Sequence, residues 1–351
     1  MADGGGGRTR AGTLGVVLLL LLVGACGPRP PSRATVGRAL PDGIGPPPAL
    51  DAHDGSLVQD GITFWFYGTA YQCGFALATI GTPWCGIRAF SSTDLLHWSP
   101  RGYAVAPDTL WQQRCAPPRF GCFRPHVARS AATGKWVMWV NSYDIAAGYH
   151  VLVASSPEGP WVESAAPTLA ATAPAPAVGA APGAPRSPGR GDEDVFVDST
   201  GQGWLAYTVL DANRPVDIAV EQLNPELTSG TGQIVRLRLG FVEAPSLFER
   251  DGRFFLAYSD PACPYCPYAA TGLAWARSPL GPWLRAPAIS TRSCDGQPDD
   301  VARLQLAGDP VWLYLSDRWD PGKANQAAAR TWWEPLTFGP DGMPVALSCG
   351  R

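Results

Sequence analysis

An all-β fold, a five-bladed β-propeller of four-stranded blades, is the class that this chain predicts, and three observations predict it. Five short segments repeat one pattern: a Gly-containing turn, an aromatic and aliphatic run, and a small polar stop. They are Asp60-Gly-Ile-Thr-Phe-Trp-Phe-Tyr-Gly68, Thr133-Gly-Lys-Trp-Val-Met-Trp-Val-Asn141, Thr200-Gly-Gln-Gly-Trp-Leu-Ala-Tyr-Thr208, Asp251-Gly-Arg-Phe-Phe-Leu-Ala-Tyr-Ser259 and Gly308-Asp-Pro-Val-Trp-Leu-Tyr-Leu-Ser316. Their recurrence roughly every fifty to seventy residues is the mark of a radially repeated sheet with one hairpin core per unit. Three hairpins are also followed by a shared second pattern of a small polar pair, a turn and a Trp, at Phe90 to Trp98, Ala154 to Trp161 and Ala276 to Trp283. Glu221 to Glu226 and Thr331 to Pro335 are the corresponding outer turns of blades three and five, which makes the unit four-stranded. Finally, 40 Gly and 36 Pro in 351 residues suit many turns better than long helices, and 14 Trp can fill a large core.

Ahead of the repeats the chain carries a different signature. Arg8 and Arg10 precede an apolar run from Leu14 to Val23, short for a membrane span and suited to a signal peptide. The run ends in Val23-Gly-Ala-Cys26, small residues followed at once by Cys, so Cys26 is the expected lipid-bearing first residue of a mature bacterial lipoprotein. An ordinary secretory peptide with an incidental Cys is the alternative. The expected organisation is a signal segment at 1–26, a Pro/Gly-rich stalk at 27–49 and a propeller at 50–351. Its expected place is the outer face of a bacterial membrane, or the medium. An Ala/Pro/Gly-rich stretch at 165–191, between blades two and three, reads as a disordered surface insertion.

Beyond Cys26 the chain has an even set of Cys in a compartment that favours oxidation: Cys73, Cys85, Cys115, Cys122, Cys263, Cys266, Cys294 and Cys349. Disulfides are expected. Spacing does not determine the connectivity, but the simplest pairing is local for the first six, leaving Cys294 with Cys349. Cys263-Pro-Tyr-Cys266 has redox-motif spacing without a strand-helix context, so a loop staple is the expectation.

Acidic residues sit just ahead of the first, third and fourth hairpins, at Asp54, Asp194 and Glu243, where strands near a propeller axis converge. The surrounding stretches are His53-Asp-Gly-Ser-Leu-Val58, Asp192-Glu-Asp-Val-Phe-Val-Asp198 and Val242-Glu-Ala-Pro-Ser-Leu-Phe248. From about Leu50 onward the chain resembles the family 43 glycoside hydrolases, five-bladed propellers whose sites use Asp, Asp and Glu from blades one, three and four. The resemblance implies Glu243 as general acid, Asp54 as general base and Asp194 as the neighbour that raises the acid's pKa by like-charge repulsion. It further implies an inverting mechanism on an arabinose-, xylose- or galactose-containing chain.

A partial resemblance to the galactan β-1,3-galactosidase branch is carried by Arg124-Pro-His-Val127, by Thr133 to Trp139, and by Gln297-Pro-Asp-Asp-Val301 followed by Ser316-Asp-Arg-Trp319. Members of that branch have a Glu directly before the Arg-Pro pair and lack the blade-one Asp. Here Phe123 and Asp54 stand at those positions, so the branch's substrate does not carry over. Candidate sugar contacts are His53, Trp65, Trp111, Arg124, His126, Gln297, Arg318 and Trp319.

No His/Cys cluster has zinc spacing and no phosphate loop occurs, so no cofactor or metal is expected. The net charge is −3 with no basic stripe, which excludes a nucleic-acid partner. The expected partners are a carbohydrate and, through the lipid, a membrane, with the protein a monomer. The rival reading is a propeller that captures glycans without cleaving them.

Overall fold

Each repeated apolar run is the second strand of a hairpin, and the turns before them explain the hairpins. Asp251 and Gly252 both have positive φ, 52° and 70°, the backbone that a two-residue Asp-Gly hairpin turn requires. Blade one consists of β1 (His53–Asp60), β2 (Thr63–Thr69), β3 (Ile87–Ser92) and β4 (Ser99–Val105), followed by the short helix α1 (Thr109–Cys115). Blade two holds β5 (Cys122–Arg129), β6 (Trp136–Ser142), β7 (Tyr149–Ala154) and β8 (Val162–Glu163). Blade three holds β9 (Arg190–Val197), β10 (Gly203–Asp211), β11 (Arg214–Leu223) and β12 (Gly230–Arg236). Blade four holds β13 (Glu243–Arg250), β14 (Arg253–Asp260), β15 (Ala270–Ala276) and β16 (Leu284–Ser290), and blade five β17 (Gln297–Gln305), β18 (Pro310–Arg318) and β19 (Arg330–Leu336). This computed structural model describes residues 44–45, 50–77, 79–119, 121–142, 148–170, 190–211, 214–263, 269–306 and 308–350, with Met1.

Every sheet is an antiparallel meander in chain order, and the first strands of successive sheets touch in a ring that β17 closes onto β1. That ring makes the fold a five-bladed propeller. The apolar runs lack the in-out alternation of a half-exposed strand because each blade is sandwiched between two others. Along β10, Leu205, Tyr207 and Val209 enter a cluster shared with blade two, while Trp204 and Ala206 enter one shared with blade four. Five such clusters occupy the five blade interfaces, the last holding Leu57 and Phe66 of blade one against Leu304, Leu313 and Trp333 of blade five.

Blade five departs from the expected four strands, since among the described residues its sheet has three. In place of a fourth strand the C-terminal tail bridges Phe338 to Pro344 and then reaches blade four, where the Leu347 N–H donates to the Ile289 carbonyl. A disulfide from Cys349 to Cys294 and the Glu334 carboxylate, which accepts the Ser348 and Cys349 N–H groups, hold the tail there. Cys73 pairs with Cys85 and Cys115 with Cys122, so these two bridges and Cys294–Cys349 are those of the simplest pairing. Cys263 is disulfide-bonded, while Cys266 lies outside the described residues.

The expected unpacked insertion at 165–191 fails at both ends. Leu169 is buried in the blade two/three core, the Ala170 N–H donates to Glu221 Oε1, and Gly191 belongs to β9. Residues 171–189 lie outside the described residues, as do the signal segment with Cys26 and most of the stalk. The stalk's Ile44 packs on the blade one/five core and the Gly45 N–H donates to the Leu95 carbonyl, so this part of 27–49 is attached to blade one.

A ring of hydrogen bonds fixes the register between inner strands. At the same position of four blades, a side chain accepts an N–H from a neighbouring inner strand: Ser56 Oγ from Val127 at 3.1 Å, Asp194 Oδ2 from Leu247 at 2.5 Å, Ser246 Oγ from Val301 at 2.8 Å and Asp300 Oδ2 from Leu57 at 2.9 Å. In the remaining blade, blade two, the equivalent residue, His126, places Nδ1 2.9 Å from Asp194 Oδ1.

Arg124 closes the axis. Its guanidinium donates from Nε to the Glu193 carbonyl at 2.9 Å and from Nη2 to the Pro245 and Asp299 carbonyls at 2.9 and 2.8 Å, with Nη1 reaching the Pro298 carbonyl at 3.3 Å. One buried cation thus holds the inner strands of three other blades. Arg124→Met should lower the free energy of unfolding by about 3 to 5 kcal/mol, because it orphans buried carbonyls and leaves buried acids without a cation. Urea unfolding followed by Trp fluorescence checks this, and a loss below about 1 kcal/mol would show that the axis does not depend on Arg124.

Candidate active site

The inner strands do not enter the ring straight. β1, β5 and β13 each begin with a bulge, between His53 and Ser56, between Phe123 and His126, and between Glu243 and Ser246. The first bulged residue has positive φ in each case: 48° at Asp54, 54° at Arg124 and 54° at Ala244. Such backbone is strained in non-Gly residues and persists where a side chain must be aimed. At Gly55 the bulge brings the chain so close to β2 that an added Cβ would lie 1.7 Å from the Tyr67 carbonyl oxygen, so glycine is required there by packing.

Glu243 opens β13, where burial first and the Asp192 carboxylate second push it up to about 8, against the attraction of Arg124. Its Oε1 accepts from Gln297 Nε2 at 3.1 Å. Asp54 is buried and pushed up to about 7, chiefly by desolvation, opposed by a hydrogen bond from Thr69 and reinforced by Asp317. Its own N–H donates to Asp317 Oδ2. Both carboxyls are therefore held above the ordinary range, Glu243 by burial and Asp192, Asp54 chiefly by desolvation, and both face Arg124.

The neighbour that raises Glu243 is Asp192, which corrects the expectation of Asp194. Asp194 is spent on the interblade ring, accepting from Leu247 and paired with His126. Asp192 stands two residues earlier in β9, as Asp54 stands two before Ser56, and its Oδ1 lies 3.4 Å from Asn141 Nδ2. That shared offset from the ring position is the signal by which the sequence could have pointed to Asp192.

Several expected sugar contacts are structural. Arg124 is the axial cation and His126 belongs to the ring, both buried. Trp65 is core in β2 beneath Arg101, and Trp111 packs against Trp84 and His150. Arg318 donates from Nε to the Cys294 carbonyl at 2.7 Å and lies over the Trp332 ring. His53 is buried between Asp51 and Asp317, which hold its pKa up against desolvation. Gln297 and Trp319 do reach the site, where Trp319 Nε1 donates to Gln297 Oε1 at 2.9 Å.

The chain also carries buried acids that sequence reading did not single out. Glu193 and Asp299 are held well above the usual carboxylate range by burial, and Asp300 is pushed up to about 8. Burial near one cation favours their neutral forms, which is how the axis tolerates so many carboxyls. His126, Asp194 and Asp300 bring ligand atoms within 4.8 Å of one another, so they could hold a cation, although both Asp residues already accept backbone N–H groups. Two cavities of about 520 and about 300 Å³ border blade two, and neither is lined by Asp54, Asp192 or Glu243.

A five-bladed propeller with raised carboxyls gathered at its axis is an architecture suited to sugar cleavage. Residues 48–309 match the model of glycosyl hydrolases family 43, and the chain belongs to that family. No curated protein matches it. Among solved structures it is similar to an exo-β-1,3-galactanase from Clostridium thermocellum (TM-score 0.67, 23% identity, 84% of this chain and 61% of that one). A family 43 β-1,3-galactosidase with galactodeoxynojirimycin superposes at TM-score 0.67 with 23% identity, over 84% of this chain and 93% of that one. An exo-β-1,3-galactanase from Phanerochaete chrysosporium with β-1,3-galactotriose superposes at 0.64 with 24% identity, over 85% of this chain and 63% of that one. The chain thus spans less than two thirds of the clostridial and fungal proteins.

Two substitutions separate Asp192 from Asp194. Asp192→Asn should lower the Glu243 pKa measured by carboxyl NMR, because a like charge is removed, and should leave stability within about 1 kcal/mol. Asp194→Asn should instead destabilise the fold by about 1 to 3 kcal/mol through its lost ring contacts. The reverse pattern would restore Asp194 as the acid's neighbour. The raised carboxyls carry a further sign: they bind more protons folded than unfolded, so their contribution to stability is present at acid pH and is lost as pH rises from about 4 toward about 8.

Proposed function

We propose that the protein is an exported, lipid-anchored glycosidase that hydrolyses its substrate with inversion, and that a β-1,3-linked galactose-containing chain is the first substrate to test. The observation that carries the reading is that Glu243, raised to about 8 beside Asp192, and Asp54, raised to about 7, each stand at the start of an inner strand and both face Arg124. Burial and the Asp192 charge favour the protonated form of Glu243, which suits it to the acid's role. Glu243 then protonates the glycosidic oxygen as its bond to the anomeric carbon breaks, and Asp54 removes a proton from the water that attacks from the opposite face.

The structural neighbours, exo-β-1,3-galactanases and a β-1,3-galactosidase, support galactose as the sugar. Phe123 sets this chain apart at the position before the Arg-Pro pair, where it is buried against Phe75. Export and anchoring rest on Arg8, Arg10, the Leu14 to Val23 run and Cys26, and the disulfides suit the same compartment. No helix among the described residues is long and apolar enough to cross a membrane.

Glu243→Gln should lower kcat on β-1,3-galactan oligosaccharides by about two to four orders of magnitude with binding retained, and Asp54→Asn should do likewise. The wild-type kcat should rise with pH through about 7 as Asp54 ionises and fall above about 8 as Glu243 does. Early-time NMR should show the α-anomer released from a β-linkage. Binding without cleavage across galactan, arabinan and xylan fragments would replace this reading with that of a glycan-capturing propeller.

A further inference from the structure

Sequence reasoning assigns Gln297 and Trp319 to sugar contact, but the structure links them in series to Glu243. Trp319 follows β18 directly and donates its indole N–H to Gln297 Oε1 at 2.9 Å. Gln297 opens β17, is buried, and donates from Nε2 to Glu243 Oε1 at 3.1 Å. Elementary chemistry gives this chain a direction. An indole nitrogen only donates, so the amide atom facing it must be the carbonyl oxygen. The other end of the amide is then its NH2 group, which only donates, so Glu243 Oε1 must accept. A carboxylic acid accepts through its carbonyl oxygen, which leaves the acid's proton on Oε2.

We propose that Trp319 and Gln297 are positioning residues that select Glu243 Oε2 as the proton donor, an inference that rests on the reading of Glu243 as the general acid. As the glycosidic bond breaks, its electron pair goes to the leaving oxygen, which takes the Oε2 proton. Glu243 becomes a carboxylate, and the Gln297 N–H stabilises the charge that forms there. The ring of Trp319 is held by packing, with His53 at 6.0 Å and Tyr71 at 6.4 Å between centroids. Without the indole N–H the amide is free to turn over. Its carbonyl oxygen then takes the Glu243 proton in a hydrogen bond and holds it away from the leaving oxygen. Asp192 on β9 and Arg124 on β5, the charged groups that face Glu243, are unchanged by either substitution.

Full-length wild type, Trp319→Phe, Gln297→Met and Glu243→Gln should be compared on β-1,3-galactobiose and on 2,4-dinitrophenyl β-galactoside, whose leaving group departs without protonation. For Trp319→Phe and Gln297→Met, kcat on the disaccharide should fall about tenfold with KM within about twofold, while kcat on the aryl galactoside stays within about twofold. The alkaline limb on the disaccharide should move to higher pH in both, since each loses a donor to the carboxylate form. Equal losses on the two substrates, or a raised KM with unchanged kcat, would overturn the proposal and return both residues to packing or sugar contact. If Trp319→Phe does not fold, Gln297→Met decides alone. A Glu243→Gln variant that keeps its activity on the disaccharide would overturn the general-acid reading and this proposal with it. A Glu243→Gln variant impaired on the disaccharide alone, beside unaffected Trp319→Phe and Gln297→Met, would overturn only the positioning role.

Discussion

The rest of the structure depends on how the centre of a five-bladed ring is filled. Strands converging on an axis leave carbonyls pointing at one another with no ladder partner, and a buried carbonyl without a donor is costly. Arg124 answers this with a planar array of donors that reaches blades three, four and five from blade two. The same cation offsets the carboxyls gathered there, being a stabilising neighbour of Glu193, Glu243, Asp299 and Asp300. Closure and site electrostatics therefore share one side chain. Burial still outweighs it at each of these acids, which is why they remain raised.

Around that hub the fold separates two jobs that the sequence writes with the same residue types. At the ring position, Ser56, Asp194, Ser246 and Asp300 accept a neighbour's backbone N–H. Two residues before it, the bulge turns Asp54 and Arg124 out of the ladder. In β9 these two positions are Asp194 and Asp192, and only their partners distinguish the residue that holds blades together from the one that lifts the Glu243 pKa. A shift of two residues along a strand preserves the face, so an alternation pattern cannot separate them.

Much of the fold was legible because its cause is local. The hairpin turns need Gly or Asp-Gly, and a blade sandwiched between two others needs a continuous apolar run, so the five repeats and their count follow from residue order alone. Glu243 and Asp54 were legible as candidates because each stands at a strand start ahead of such a run, and Gln297 through the partial resemblance to the galactosidase branch. Trp65 and Trp111 were misread for a corresponding reason: an aromatic ring near a site segment has the same composition whether it stacks on a sugar or fills a blade interface. The course of the tail after β19 was legible only in its Cys294–Cys349 pair, since the Leu347 N–H meets the Ile289 carbonyl of another blade.

The sequence by itself determined the class of fold, the number of blades and the strand ends at which acids gather, and it offered the disulfides Cys73–Cys85 and Cys115–Cys122 as the simplest pairing. All of these are set by short-range chemistry: turn dihedrals, strand pattern and loop spacing. Tertiary structure alone decided which acid touches which. Arg124 became an axial cation, Asp194 a ring residue and Asp192 the neighbour of Glu243 because desolvation and charge coupling depend on distances between strands from different blades. Residues 69 to 175 apart meet around Arg124, and no local pattern in the chain encodes that meeting.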